Sequence, residues 1–441
     1  MPAPLAAGPS LPDLSPEAAI EASLHSLRRP TTLLVAISGG SDSTGLLLAL
    51  QRAIKTQRFP HHHSLTAATV DHDLRPGSAE EAQQVATLCK GLGIPHRLEC
   101  WTDEKPRHGL SAAARQARYH LLAKAADNLG ADVIVTGHTL DDQIETVAMR
   151  ADRSSEGALG LAGMAPATLY AGCLWILRPF LRTRRTAIRT YLTDLDQPWI
   201  DDPSNEDPRY ERVRIRQAAP AIAPDAIRQA ADHRAALSSA AATWLDTAAT
   251  CLPGPVVKID VDNAPPPAPE TRDHALATLV AILGGRPHRP ATESLARLGS
   301  ALESGGDFRL TLSGTLALRR GKHLFLLRER RGFLPLSVPP LASATWDGRF
   351  VIENRSAKEV TITAGPAAEI DEHLPGAVRS ALSGNAPQVI AAEAFSGSSA
   401  DTVAITPRLS LFAEFMPGFD QPLADAIARL IGTEPTPSVP I

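Results

Sequence analysis

The stretch Leu33-Leu34-Val35-Ala36-Ile37-Ser38-Gly39-Gly40-Ser41-Asp42-Ser43-Thr44-Gly45-Leu46-Leu47-Leu48 constrains the fold more than any other part of the chain. Its first five residues form an apolar run, β-branched at Val35 and Ile37, of the kind found in buried parallel strands. From Thr44 to Leu50 the pattern becomes that of an apolar helix. Between the two lie only small residues. The paired glycines permit strained backbone angles and close approach of a ligand, while successive N–H groups at a helix start converge on a point that suits phosphate. The loop has no lysine, which separates it from the G-x-x-x-x-G-K-[ST] loop of most nucleoside triphosphatases. A plain capped turn is the competing explanation, but caps rarely combine two glycines with three hydroxyls.

The surrounding pattern is α/β. Ser15 and Pro16 open a first helix. Strand-like runs at Leu65–Asp71, Pro95–Cys100 and Asp132–Gly137 alternate with helical runs at 79–91, 111–129 and 141–150, and Leu174–Arg178 supplies a fifth strand. This alternation predicts a parallel twisted sheet with helices on both faces, and ligand at the carboxyl ends of its strands. Residues 221–331 read differently: helices at 225–249, 272–283 and 292–303, then strands from Phe308 to Arg328 broken at Ser313-Gly314 and Arg320-Gly321. From 332 the chain is Pro/Gly-punctuated, with short strand-like runs and a helix at 422–431. A catalytic domain over 1–220, a mainly helical domain with a hairpin over 221–331 and a small α+β domain over 332–441 are expected for 441 residues.

Charge and cysteine content narrow the class. The net charge of −4 hides local patches: nine arginines against seven acids between Arg178 and Arg216, and seven basic residues against one acid from Arg309 to Arg331. Such patches suit a nucleic acid bound locally. Cys89, Cys100, Cys173 and Cys251 are scattered without C-x-x-C spacing, as in a reducing cytosol. The first ten residues lack the charge and apolar core of a signal peptide, and no apolar run reaches membrane-spanning length, so a cytoplasmic protein without a membrane partner is expected. His61-His62-His63 reads as a solvated connection.

Three constellations fall near the phosphate loop. Asp71-His72 ends the second strand, where an acid contacts a ribose hydroxyl or a metal, or stabilises its own turn. After the fourth strand, Asp141, Asp142 and Glu145 share an arc of roughly 100° at a helix start. Three acids beside a triphosphate require a cation between them, either Mg²⁺ or a substrate amine, although a helix dipole explains one or two. Arg115 and Arg118 lie on the stripe of Leu122, Ala125 and Ala126 that should face the sheet, which directs them over the ligand edge.

The strand-SGGxDS-helix arrangement resembles the PP-loop of the ATP pyrophosphatases, which cleave ATP between its α and β phosphates. Five further segments sharpen the likeness: Val70-Asp71-His72, Ala114-Arg115-Gln116-Ala117-Arg118-Tyr119, Gly137-His138-Thr139-Leu140-Asp141-Asp142-Gln143-Ile144-Glu145-Thr146, Leu177-Arg178-Pro179-Phe180 and Asp202-Pro203-Ser204-Asn205. Together they resemble the tRNA(Ile)-lysidine synthases over about residues 30–220. The family's usual Arg-Asn-x-Ile-Arg is here Arg212-Val213-Arg214-Ile215-Arg216, without the asparagine.

The resemblance implies an ATP-dependent ligation of L-lysine to C2 of the wobble cytidine of tRNA(Ile) with a CAU anticodon, through an adenylated intermediate. It implies ATP on Ser38, Gly39, Gly40, Ser41, Asp42, Ser43, Asp71, His72 and His138. It also implies Mg²⁺ on Asp42 and Asp142, and catalysis by Asp42, Asp141, Asp142 and Glu145. Substrates would meet Arg115, Arg118, Glu145, Arg182, Arg184, Arg185, Arg212, Arg214 and Arg216, and a homodimer is compatible with it. The rival readings are a tRNA thiolase of the same superfamily, for which the cysteines lack the spacing, and a non-catalytic tRNA-binding protein.

Overall fold

The computed structural model describes residues 12–56, 58–153, 157–201, 211–218, 220–254, 256–264, 266, 268–391 and 402–441. They fall into two compact units, one from residues up to 232 together with 438–441, the other from 233–437.

The first unit is built on strands β1 (Thr31–Ala36), β2 (His63–Asp71), β3 (His96–Cys100), β4 (Val133–Val135), β5 (Ala167–Tyr170) and β6 (Leu174–Leu177). Their spatial order is β5-β6-β4-β1-β2-β3. β1 is central and apolar throughout its core, with Leu33 opposite Leu65 of β2 on one side and Val133 of β4 on the other, all parallel. The chain moves outward from β1 to β3, then returns to β4 on the opposite side. The carboxyl ends of β1 and β4 therefore flank a topological switch point, where open α/β sheets bind ligands. The helices are α1 (Pro16–Ser26), α2 (Ser41–Lys55), α3 (Ser78–Leu92), α4 (Leu110–Leu129), α5 (Leu140–Arg153), α6 (Gly157–Gly160), α7 (Arg185–Asp194) and α8 (Glu211–Ala218). Ser15 caps α1 by accepting the Ala18 N–H at 3.2 Å. α2 packs on β1 and β2 and against α1 and α7, and α4 lies across β2, β3 and β4.

The structure departs from the expected all-parallel sheet at β5, which runs antiparallel to β6. Only residues 171–173 join them, too few for a parallel crossover, and Ala171 and Gly172 turn the chain at φ of 49° and 72°. His63 is a second departure. It begins β2 and is 3% exposed, rather than lying in a solvated loop. Among the described residues no helix is long and apolar enough to cross a membrane.

The second unit takes in most of α9 (Pro224–Ala248), then β7 (Ala249–Leu252), β8 (Val256–Asp260), α10 (Pro269–Leu283), α11 (Thr292–Glu303), β9 (Phe308–Leu312), β10 (Thr315–Arg320) and β11 (His323–Arg328). These strands form an antiparallel sheet in the order β7-β8-β11-β10-β9. Beyond it come β12 (Leu336–Val338), β13 (Ser343–Trp346), β14 (Phe350–Asn354), β15 (Val360–Gly365), α12 (Gly376–Leu382), β16 (Ala386–Ala391), β17 (Val403–Pro407) and α13 (Gln421–Ile431). Leu316, Leu318, Phe325 and Leu327 of the five-stranded sheet share a core with Leu374, Val378 and Leu382, so chain on both sides of 332 contributes to one interior. Trp346, Phe350, Ile352 and Ile362 belong to another core. On the strength of that second core we propose a boundary near 332 within this unit.

Candidate active site

The phosphate loop is held from within by its own hydroxyls. The Ser38 N–H donates to Ser43 Oγ at 3.1 Å, Ser43 Oγ donates to the Gly40 carbonyl at 3.2 Å, and Thr44 Oγ1 donates to the Gly39 carbonyl at 3.1 Å. Gly40 stands at the N-cap of α2 without a side-chain capping bond, so the helix presents bare N–H groups at its start. Gly39 has a φ of +84°, and a Cβ there would meet Ile200 Cδ1 at 2.6 Å and Val85 Cγ2 at 3.0 Å. Ile200 also donates its N–H to the Gly39 carbonyl at 2.9 Å. It is a supporting residue that the sequence reading missed, and its only signal is an apolar side chain directly before Asp201-Asp202. The Asp202-Pro203-Ser204-Asn205 segment itself lies outside the described residues.

Across the switch point, β4 leads into α5. Thr139 and Asp142 form a reciprocal cap: Asp142 Oδ2 accepts the Thr139 N–H at 2.7 Å and its hydroxyl at 2.8 Å, and the Asp142 N–H donates to Thr139 Oγ1 at 3.3 Å. Asp141 serves another helix, its Oδ2 accepting the Arg185 N–H at 2.8 Å at the start of α7. Two of the three acids therefore hold helix starts. Glu145 does not. It is 3% exposed, its Oε1 accepts Arg216 Nε at 2.7 Å, and its Oε2 is buried without a hydrogen-bond partner among the described residues.

The cation among these acids is Arg185. Its Nε donates to Asp42 Oδ2 at 2.9 Å and its Nη2 to Asp142 Oδ1 at 3.2 Å, while Nη1 lies 3.9 Å from Glu145 Oε1. Burial raises the Asp42 carboxyl above its ordinary range, with the Asp142 charge adding to it and Arg185 opposing. Arg185 itself is held more firmly protonated than a free arginine: burial opposes this, but Asp142, Asp42 and Glu145 outweigh it.

A second, basic group gathers around His138. His138, with Nδ1 2.9 Å from Thr136 Oγ1, is pushed well below the usual imidazole range, by burial first and then by Arg178, Arg118, Arg115 and Arg212. A neutral imidazole near four arginines favours an anion at that point. The Arg115 guanidinium stacks 4.9 Å over the Tyr119 ring. Burial alone would raise the Tyr119 hydroxyl, yet Arg115, Arg118 and Arg178 bring it below the ordinary phenol range. Arg178 is buried and structural, its Nη1 donating to the Ala165 carbonyl and to Thr168 Oγ1, both at 2.8 Å.

The remaining candidates are placed as follows. Asp71 accepts the Asp73 N–H at 2.9 Å, the turn-stabilising arrangement, and is 8% exposed. His72 packs edge-on to Trp101, and burial pushes its imidazole below the usual range, with Arg118 reinforcing the effect. Arg182 and Arg184 donate to the Pro12 carbonyl at 3.1 Å and to Asp13 Oδ2 at 3.0 Å. On α8, Arg212, Arg214 and Arg216 are exposed, whereas Val213, at the family's asparagine position, is 5% exposed. In the other basic segment Arg319 and Arg328 are buried on Asp262 and Asp347, which leaves Arg309, Arg320, Lys322, Arg330 and Arg331 facing solvent.

No three His, Cys, Asp or Glu side chains among the described residues gather into a metal cage. Mg²⁺ does not need one when phosphate supplies ligands, since one or two carboxylates suffice. Asp42 and Asp142, close enough to share one guanidinium, fit that requirement.

Residues 15–222 match the family model of the PP-loop domain. Over nearly its whole length the chain is similar to the tRNA(Ile)-lysidine synthase of Rhizobium meliloti, with 39% identity covering 95% of both chains. It is also similar to that of Mesorhizobium japonicum, with 40% identity covering 92% of this chain and 94% of the other. The Brucella canis enzyme is 36% identical over 92% of this chain and 96% of its own. The phosphate loop, the two acids that start helices and the arginines around them thus sit in a chain that belongs to the tRNA(Ile)-lysidine synthase family.

Proposed function

We propose that the chain joins L-lysine to C2 of the wobble cytidine, position 34, of an isoleucine tRNA bearing a CAU anticodon, with ATP as the activating substrate. What carries the reading is the meeting, at one switch point, of a lysine-free phosphate loop with a buried Glu145 carboxylate oxygen that has no hydrogen-bond partner among the described residues. Similarity to lysidine synthases along nearly the whole chain supports it.

The chemistry explains why both halves are needed. The C2 oxygen of cytidine is a poor leaving group. Attack by that oxygen on the α-phosphate of ATP releases pyrophosphate and yields an adenylate, from which the lysine amine then expels AMP. The Ser38–Ser43 loop and the N–H groups of α2 would hold the phosphates, with Asp71, His72 and His138 beside the nucleotide. Mg²⁺ held by Asp42 and Asp142 would neutralise charge on the departing pyrophosphate. Arg115, Arg118 and Arg212 would add positive charge around His138. A lysine amine with an ordinary pKa of ~10.4 arrives protonated and must lose a proton before it attacks. Glu145 would bind the ammonium and accept that proton, and Asp141 would hold Arg185 and α7 in place. Arg182, Arg184, Arg214 and Arg216 would contact tRNA phosphates.

Incubation of the full chain with ATP, lysine and a CAU transcript tests the reading. AMP should form only when tRNA and lysine are both present. AMP formation without either one refutes it. No observation favours the thiolase alternative, since Cys89 is buried and Cys100, Cys173 and Cys251 lie exposed at separate places.

A further inference from the structure

Arg185 makes contacts that the proposed reaction must break. Each of its three guanidinium nitrogens faces a different carboxylate: Nε faces Asp42 at 2.9 Å, Nη2 faces Asp142 at 3.2 Å and Nη1 faces Glu145 at 3.9 Å. The side chain is 19% exposed. Its backbone is tied down by Asp141 at 2.8 Å, so the side chain can change partners while α7 stays in place.

The competition for Asp142 is specific. Its Oδ2 is committed to the Thr139 N–H and hydroxyl, which leaves Oδ1 for a cation, and Arg185 holds Oδ1. A guanidinium does not deprotonate in a protein, so Arg185 cannot relieve the conflict with an incoming cation by losing its charge. Asp42, Asp142 and Glu145 meet two guanidiniums, Arg185 and Arg216, and one negative charge is left over. That surplus attracts a further cation but does not accommodate a divalent ion alongside Arg185.

We propose that Arg185 is a resident counter-cation of the acidic pocket, which keeps Asp42 and Asp142 paired until Mg²⁺ arrives with ATP and then exchanges with it. The inference rests on the nucleotide reading above and makes Arg185 a positioning residue rather than one of the arginines that meet tRNA. Without such a cation, Asp42 and Asp142 would repel each other across a half-buried pocket. The released guanidinium emerges beside the start of α2, where phosphate oxygens would be its nearest anions.

Mn²⁺, titrated into the full chain without nucleotide and followed by electron paramagnetic resonance, is the probe. Removing a competing positive charge should make Arg185→Gln bind Mn²⁺ about tenfold tighter than the unaltered chain. Adding Asp42→Asn to that variant should abolish the gain, and Arg185→Lys should stay near the unaltered affinity. Unchanged or weaker binding by Arg185→Gln overturns the proposal, as does a gain that survives Asp42→Asn. A second measurement needs no stable glutamine variant. With arginine side chains labelled with ¹⁵N and the Arg185 Nε–H signal assigned through Arg185→Lys, saturating Mg²⁺ and ATP should shift that signal and speed its exchange with solvent. A signal that stays in place at saturation overturns the exchange. Equilibrium dialysis judges the nucleotide reading separately: a chain that binds no ATP refutes that reading, whereas the Mn²⁺ series judges the exchange by itself.

Discussion

Gly137 approaches the backbone of Asp42 so closely that a Cβ at 137 would stand 2.8 Å from the Asp42 carbonyl oxygen and 2.9 Å from its carbon. This contact joins the two arms of the switch point. β1 delivers the phosphate loop, β4 delivers the acidic helix, and only a residue without a side chain lets them meet. Backbone cannot rotate away as a long side chain can, so the distance between loop and acids is set here.

Gly137→Ala should therefore force the loop and the start of α5 apart, at a cost of about 1–3 kcal/mol in stability. ATP affinity should fall by more than tRNA affinity. Gly91→Ala is the control, because a Cβ there meets nothing within 4 Å and the position is helical. That variant should be slightly stabilised, by about 0.5–1 kcal/mol. Denaturant unfolding of the two variants measures the contrast.

Glu145→Gln removes the charge that we assign to the lysine ammonium while keeping the shape. Pyrophosphate should still form from ATP and tRNA. Lysidine formation should stall, and high lysine concentration should restore part of it. Loss of pyrophosphate release in step with product would instead place Glu145 in the nucleotide site.

Among the described residues Arg182 and Arg184 pair with Pro12 and Asp13 at the surface and with the half-exposed Asp141, and such contacts compete weakly with phosphates. Replacing both with glutamine should lower the slope of log affinity for tRNA against log salt by about 0.7–0.9 for each phosphate that the variant no longer neutralises. Filter binding over a salt series reads this directly, and an unchanged slope would mean that both arginines are merely solvated.

In the second unit, Asp420 is buried between Arg234 at 2.6 Å, Arg289 at 3.6 Å and His274 at 3.9 Å. Burial, reinforced by Arg289, lowers His274 from an ordinary 6.5 to about 3. The unfolded chain therefore binds the extra proton first as pH falls. The stabilising contribution is complete above pH 6.5 and is lost progressively toward about 3. Within that window one proton corresponds to about 1.4 kcal/mol per pH unit. Denaturant unfolding between about pH 5 and 6 should show a shallower pH dependence in His274→Gln by about one proton.

Much of the site was legible because it is local. The glycine-rich turn after β1, the acids after β4 and the arginines on α4 each announce themselves within a few residues, and hydrophobic periodicity located the strands that carry them. The later helices and the Ser313-Gly314 and Arg320-Gly321 turns were legible for the same reason. The short β5 escaped notice, and it is the antiparallel pairing with β6 that makes it a strand.

Partner choice was not legible, because a charged side chain looks the same in sequence whether it faces solvent, a ligand or another charge. The sequence by itself determined the loop chemistry, the alternation of strands and helices and the set of charges near the strand ends. Only the tertiary structure decided how those charges are shared. It buries Arg319 and Arg328 within a segment that reads as uniformly basic, commits Asp141 and Asp142 to helix starts, and sets Arg185 among three carboxylates. Pairing energies depend on distance and on exclusion of water, and both arise only when segments more than a hundred residues apart, such as Asp42 and Arg185, are folded against each other.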